Sequence, residues 1–111
     1  MIEKTVLDFL KDRLDVPCCM EVPEDPPQTF CLIEKTGSGM RNRIFSAVIA
    51  VQSYGGSLYE AARLNEKVKE TMGELETLPG IGRVRLNTDY PFSDTALKRS
   101  RYQAVFDITH Y

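Results

Sequence analysis

Apolar residues recur at helical spacing in two stretches of the chain and at strand spacing in several others. Ile2, Val6, Phe9, Leu10 and Leu14 fall three to four positions apart, so residues 2–14 are expected to form an amphipathic helix that Pro17 stops. Cys18 to Val22 follows as a short strand candidate. The run Pro23-Glu24-Asp25-Pro26-Pro27 forbids regular pairing, because proline has no N–H to donate, and reads as a rigid acidic turn. Thr29 to Thr36 is expected to be a strand, with Gly37-Ser38-Gly39 as the tip of a flexible loop. Arg41-Asn42-Arg43 then leads into a long strand, Ile44 to Tyr54. Its Phe45, Ala47, Ile49 and Val51 point one way, while Ile44, Val48 and Ala50 make the other face apolar as well. A strand apolar on both faces is central in its sheet or has one face covered by a partner.

Gly55-Gly56 ends that strand, and a second helix opens at Ser57, whose spacing from Glu60 is that of a capping box. The helix is expected to run from about Leu58 to Thr77, with Ala61, Leu64, Val68, Met72 and Leu75 on its buried stripe. Glu66–Lys69 and Lys67–Glu70 can pair on its wet side. Gly73 weakens its last turns and Pro79-Gly80 closes it. Two alternating strands finish the chain. In the first, Val84, Leu86, Thr88 and Tyr90 oppose Arg83, Arg85, Asn87 and Asp89. In the second, Tyr102, Ala104, Phe106, Ile108 and His110 oppose Arg101, Gln103, Asp107 and Thr109. Pro91, Ser93 and Asp94 lie in the turn between them. The order α-β-β-β-α-β-β predicts one α+β domain over residues 1–111, a mainly antiparallel sheet with two helices on one face.

Composition adds limits. A chain of 111 residues, 42% hydrophobic and 27% charged, can bury one core without disulfides or metal. Net charge is −2, so no global basic field exists to hold nucleic acid. The charges are unevenly spread: seven acids face three bases up to Phe30, whereas five bases face three acids from Arg83 onward. Opposite poles of this kind suit head-to-tail self-association, and two unrelated solvated faces would look the same. Three cysteines, two of them adjacent, make no extracellular disulfide framework and fit a reducing compartment. Residues 2–14 alternate charge with apolar side chains, unlike a signal peptide, and no stretch approaches the ~20 apolar residues of a membrane span. A soluble intracellular protein is expected.

Chemistry-bearing constellations are weak. Cys18, Cys19, Cys31 and His110 are nominally a zinc set, but adjacent cysteines on a strand point to opposite faces and lack the usual chelate spacing. His110 is the only histidine to serve a cysteine or serine nucleophile, and it is expected on the core side of its strand. The glycines of Thr36–Arg41 lack the Lys-Ser/Thr and the following helix of a phosphate loop. Carboxylate pairs such as Glu24-Asp25 fall on solvated turns. No enzyme, cofactor or metal is therefore expected. The one notable basic feature is the ladder Arg83/Arg85, with Arg99 and Arg101 on what reads as a neighbouring strand and Tyr90, Phe92 and Tyr102 nearby. A single-strand nucleic-acid surface is one reading of it, and a subunit interface or solvated face the other.

Three runs carry a resemblance: TFCLIEKTGSG from Thr29 to Gly39, AVQSYGGSLYEAA from Ala50 to Ala62, and KRSRYQAVFDITHY from Lys98 to Tyr111. With the element order, they resemble small tail-completion proteins of long-tailed phages and prophages, in the tail terminator or tail-to-head joining group. The likeness extends over nearly the whole chain and rests on packing patterns instead of a chemical signature. It implies a structural virion protein, made in the bacterial cytoplasm. Such a subunit forms a ring, commonly hexameric, that caps the tail tube and meets the head connector. By position, the Gly37–Arg43 loop, with Arg41 and Arg43, would face tube or connector. Arg83, Arg85, Arg99 and Arg101 would face a neighbouring subunit or a channel in which DNA contacts are weak and sequence-independent. The residues by themselves leave open a small ligand-binding or regulatory α+β module that dimerises through its sheet.

Overall fold

Ile2, Val6, Phe9 and Leu10 all turn inward from the first helix, α1 (Ile2–Arg13), as their spacing requires. The computed structural model describes residues 1–111. After α1 come β1 (Cys18–Cys19), β2 (Phe30–Arg41), β3 (Ile44–Gly55), α2 (Leu58–Gly73), a 3₁₀ turn at Glu74–Thr77, β4 (Ile81–Pro91) and β5 (Ser100–His110). The five strands lie side by side in the order β1-β2-β3-β5-β4, antiparallel except for the parallel β1–β2 pair. This is an α+β fold in the order α-β-β-β-α-β-β, with β3 in the middle of the sheet.

Both helices cover the same face. Val6, Phe9 and Leu10 of α1 and Leu64, Val68 and Met72 of α2 pack on Cys31 and Ile33, on Ala47, Ile49 and Val51, and on Ala104, Phe106 and Ile108. Each Val, Leu, Ile, Phe or Met among them contributes about 1.5–3 kcal/mol when fully buried, so this layer is the main stabilising element. The first turn of α2 sits directly on the end of β3: a Cβ on Gly55 would stand 2.6 Å from the Ala61 nitrogen. Ser57 Oγ accepts from Glu60 N at 3.2 Å, and Glu60 returns the contact one residue early, accepting from Gly56 N at 3.0 Å. At Gly73 the α-helix gives way to the 3₁₀ turn, which still buries Leu75. On the wet side Lys69 pairs with Glu66 at 3.0 Å, whereas Lys67 reaches Asp15 at 3.6 Å and not Glu70.

Two local expectations are corrected. Gly37-Ser38-Gly39 is not a loop tip but part of β2, which absorbs one extra residue at the bulge between Lys35 and Gly37. The turn is Asn42-Arg43, with φ of 53° and 65°. Left-handed backbone at both central residues is the type I′ geometry that matches the twist of a two-residue hairpin. Likewise, the alternation of β4 does not run through to Tyr90. A bulge between Leu86 and Thr88 inverts it, so Asp89 faces the helices while Thr88 and Tyr90 join Arg83 and Arg85 on the other side. The cause lies on α2. Asn65 is 1% exposed, and a buried amide needs a partner. Asp89 supplies one for the Nδ2 donor, accepting from it at 2.8 Å and from Lys69 Nζ at 3.0 Å, while Asn65 Oδ1 stays unpaired.

Candidate assembly surface

The second face of the sheet carries no helix. Register places on it Phe30, Leu32 and Glu34 of β2, and Ser46, Val48, Ala50, Gln52 and Tyr54 of β3. Arg101, Gln103, Val105, Asp107 and Thr109 of β5 and Arg83, Arg85, Thr88 and Tyr90 of β4 complete it. Its two ends differ. At the Tyr54 end two segments fold over it, residues 23–29 and the connection between β4 and β5. Tyr54 and Phe30 are fully buried there, their rings stacked at 4.3 Å. At the other end Arg41, Ile44, Ser46, Arg83 and Arg85 are exposed.

The covered end is held by a polar cluster around Arg101. Its Nε donates to Phe92 O at 2.6 Å, and its Nη1 to Tyr54 Oη at 3.1 Å and to Asp94 Oδ2 at 3.5 Å. The guanidinium carbon lies 4.2 Å from the Phe92 ring centroid. Tyr54 in turn donates to Asp94 Oδ2 at 2.8 Å. The Leu97 N–H bonded to Asp94, with Tyr54 and Arg101 behind it, holds that carboxyl below the usual carboxylate range. Burial pushes the Tyr54 hydroxyl up, and its bond to Asp94 adds to that. Next to this cluster Gln52 Nε2 donates to Gln103 Oε1 at 2.7 Å, and Gln103 Nε2 to Tyr90 Oη at 2.6 Å. Arg99 fastens residues 23–29, donating to the carbonyls of Pro26 and Pro27.

The six arginines singled out by sequence therefore divide. Arg99 and Arg101 serve the protein's own loops, and the side chain of Arg101 is only 13% exposed. They do not extend the Arg83/Arg85 ladder. Antiparallel pairing sets Arg83 opposite Thr109, eight residues from Arg101 along β5, a separation of about 27 Å. Arg83 and Arg85 border a shallow depression of about 330 Å³ with Ser46, Val48, Asp107 and Thr109. Arg41 ends β2 at the same end of the sheet, and Arg43 sits at the hairpin tip. None of Arg41, Arg43, Arg83 and Arg85 makes an ion pair within the chain.

Sequence reasoning missed the Tyr54–Asp94–Arg101 cluster, whose members are far apart in the chain. The tip expected at Gly37-Ser38-Gly39 is instead a projecting hairpin that turns at Asn42-Arg43. Residues 38–46 are exposed without interruption, and β5 reaches only as far as Phe45, so the tip of β2–β3 extends beyond the sheet. The sheet edges are open too. On its outer side β2 meets β1 only at Cys31 and Leu32. On the outer side of β4, one backbone donor, Val84 N, is taken by Glu76 Oε1 at 2.7 Å.

Cysteines and histidine do not converge. Cys31 stands beside Ser53 and His110 beside Phe45, again eight residues apart on one strand, about 27 Å. His110 stacks on Phe45 with centroids 5.4 Å apart. No helix is long and apolar enough to cross a membrane. The chain matches no protein-family profile and no curated protein.

Proposed function

We propose that this protein is a structural subunit of a phage or prophage virion, a tail terminator or head–tail joining protein that works as a ring capping the tail tube. The observation that carries the proposal is the helix-free sheet face with open edges on both sides and a protruding hairpin at one end. An unpaired strand edge is a template for another chain, and natural monomers usually blunt it. Here β2 beyond Leu32 offers one such edge and β4 the other, on opposite sides of the protomer. Different surfaces meeting head to tail generate a ring whenever the rotation closes. Arg41, Arg43, Arg83 and Arg85 supply unpartnered positive charge beside those edges. They suit an acidic neighbour, or loose sequence-independent contact with DNA passing through the ring. The resemblance of the three sequence runs gives the class of assembly. The partners would be copies of this chain, the tail-tube protein and the head connector, in the virion and in the host cytoplasm during assembly.

The test is mass by size-exclusion chromatography with light scattering across a wide concentration range, with negative-stain images of any large species. A ring of about six subunits supports the proposal. A dimer that closes through the open sheet face favours the small ligand-binding or regulatory module. If the protein stays monomeric, purified tail tubes decide: failure to bind tube ends removes the tail-terminator reading.

A further inference from the structure

We infer that Cys18 and Cys31 form a dithiol site that exchanges with a small-molecule disulfide, closing an internal Cys18–Cys31 bond while Cys19 stays reduced. The placement comes from the one parallel pairing in the sheet. Cys18 of β1 lies directly across from Cys31 of β2. Neighbouring strands are about 4.8 Å apart, inside the Cα separation of about 4.4–6.8 Å that a disulfide spans. Residues facing each other on adjacent strands project to the same side, and both cysteines belong to the helix-side core, 5% and 0% exposed. Cys18 Sγ donates to Val16 O at 3.6 Å, so its thiol is held in place beside Cys31. Cys19, one residue on, points to the other side, where its Sγ donates to Cys31 O at 3.5 Å.

The two thiols are unequal, as attacking and resolving sulfurs must be. The neighbouring Cys31 thiol holds Cys18 below the ordinary thiol value despite its burial, and the Lys11 ammonium assists. Cys31 is pushed well up by the neighbouring Cys18 thiol and by burial. Cys18 thiolate therefore attacks one sulfur of the small disulfide, releasing one thiolate and leaving a mixed disulfide on Cys18. Cys31 then loses its proton to that thiolate or to solvent and attacks Cys18 Sγ, expelling the second small thiol. The protein loses two hydrogens and the small disulfide gains them. Access is through β1, a two-residue edge strand whose opening exposes little and is correspondingly easy. The closed bond ties the α1–β1 unit to the sheet across a loop of roughly a dozen residues, for which the melting temperature should rise by about 10 °C.

Native protein incubated with oxidised glutathione tests this directly. The expected result is a fall from three free thiols to one, counted in denaturant. Mass should drop by two hydrogens without a glutathione adduct, and reducing agent should reverse the melting-temperature rise. Because Cys18 and Cys19 are adjacent, the Cys19→Ser variant identifies the pair. It should close to zero free thiols, whereas Cys18→Ser should not close. If Cys18→Ser fails to fold, Cys19→Ser alone decides. Three surviving thiols, loss of closure in Cys19→Ser, or a disulfide-linked dimer would each overturn the inference.

Discussion

Arg101→Ala should cost the fold about 3 kcal/mol, although by type and strand position Arg101 reads as an outward-facing charge. Truncation removes the cation beside Asp94, two side chains that are each 13% exposed. Breaking a fully buried pair costs about 3–5 kcal/mol, because the remaining charge is stranded. The 3.5 Å separation and residual solvent put this pair at or below the lower end. Asp94 also keeps the hydrogen bonds from Leu97 N and Tyr54 Oη. Against that, the variant loses the bond to the Phe92 carbonyl and the contact with the Phe92 ring. These contribute roughly 1 kcal/mol each in comparable settings. The contributions share one side chain and do not add fully, which leaves about 3 kcal/mol. With a urea m-value near 1.5 kcal/mol/M, the unfolding midpoint should move down by about 2 M. Arg101→Lys should recover less than half, because an ammonium cannot reach Phe92 O, Tyr54 and Asp94 in a planar fork. Arg83→Ala and Arg85→Ala, measured alongside, should stay within about 0.5 kcal/mol of the parent. If Arg101→Ala also falls within that range, the cluster does not hold the β4–β5 connection and the division of the arginines fails.

Acid sensitivity should trace partly to Asp94. Its carboxyl is held below its unfolded value, so its stabilisation is complete above about pH 4–5 and fades as pH falls through the folded value. Asp94→Asn should therefore be less stable at pH 7 and lose less on going to pH 3; parallel pH profiles would refute this. Gly55→Ala should destabilise by about 1–3 kcal/mol in denaturant unfolding, since its Cβ would meet the Ala61 nitrogen at 2.6 Å. Gly80→Ala has φ +88° but open space around it, and should cost only about 1 kcal/mol. At the hairpin tip, Arg43→Gly should relieve the left-handed backbone at φ 65°. It should slow amide exchange in the hairpin by a factor corresponding to about 1 kcal/mol; unchanged exchange would count against a persistent type I′ turn.

Periodicity made the helices and the central strand legible. Ala61, Leu64, Val68, Met72 and Leu75 are all buried, as their spacing requires. Ala47, Ile49 and Val51 face the helices, and His110 stands on the core side of β5. What failed did so where the backbone departs from a simple period. A bulge shifts every later residue to the opposite face, and nothing in Leu86-Asn87-Thr88 announces one; the demand came from Asn65, more than twenty residues upstream. The glycines of Gly37-Ser38-Gly39 suggested a turn, whereas the turn uses Asn42 and an arginine, a residue that φ > 0 does not favour. The Tyr54–Asp94–Arg101 cluster depends on how the irregular β4–β5 connection folds over the sheet, which local pattern does not encode. The Cys18–Cys31 register required knowing that β1 runs parallel to β2.

The charge asymmetry of the chain changes meaning once these contacts are known. Arg99 and Arg101 count toward the positive excess of the C-terminal part, yet proline carbonyls, Phe92 O and Asp94 occupy them. The exposed positive charge at the hairpin end comes from Arg41, Arg43, Arg83 and Arg85, which sequence splits between two distant segments and the sheet gathers there. Glu24 and Asp25 precede the two prolines that hold Arg99, so they lie at the other end of a molecule 43 Å long. At physiological salt a charge is screened beyond about 8 Å, so neither end influences the other through solvent. The hairpin end can draw in a partner only by touching it, and backbone pairing along an open edge owes little to charge. Assembly that weakens with salt would therefore locate the contact at the arginines, and assembly indifferent to salt would locate it along the edges of β2 and β4.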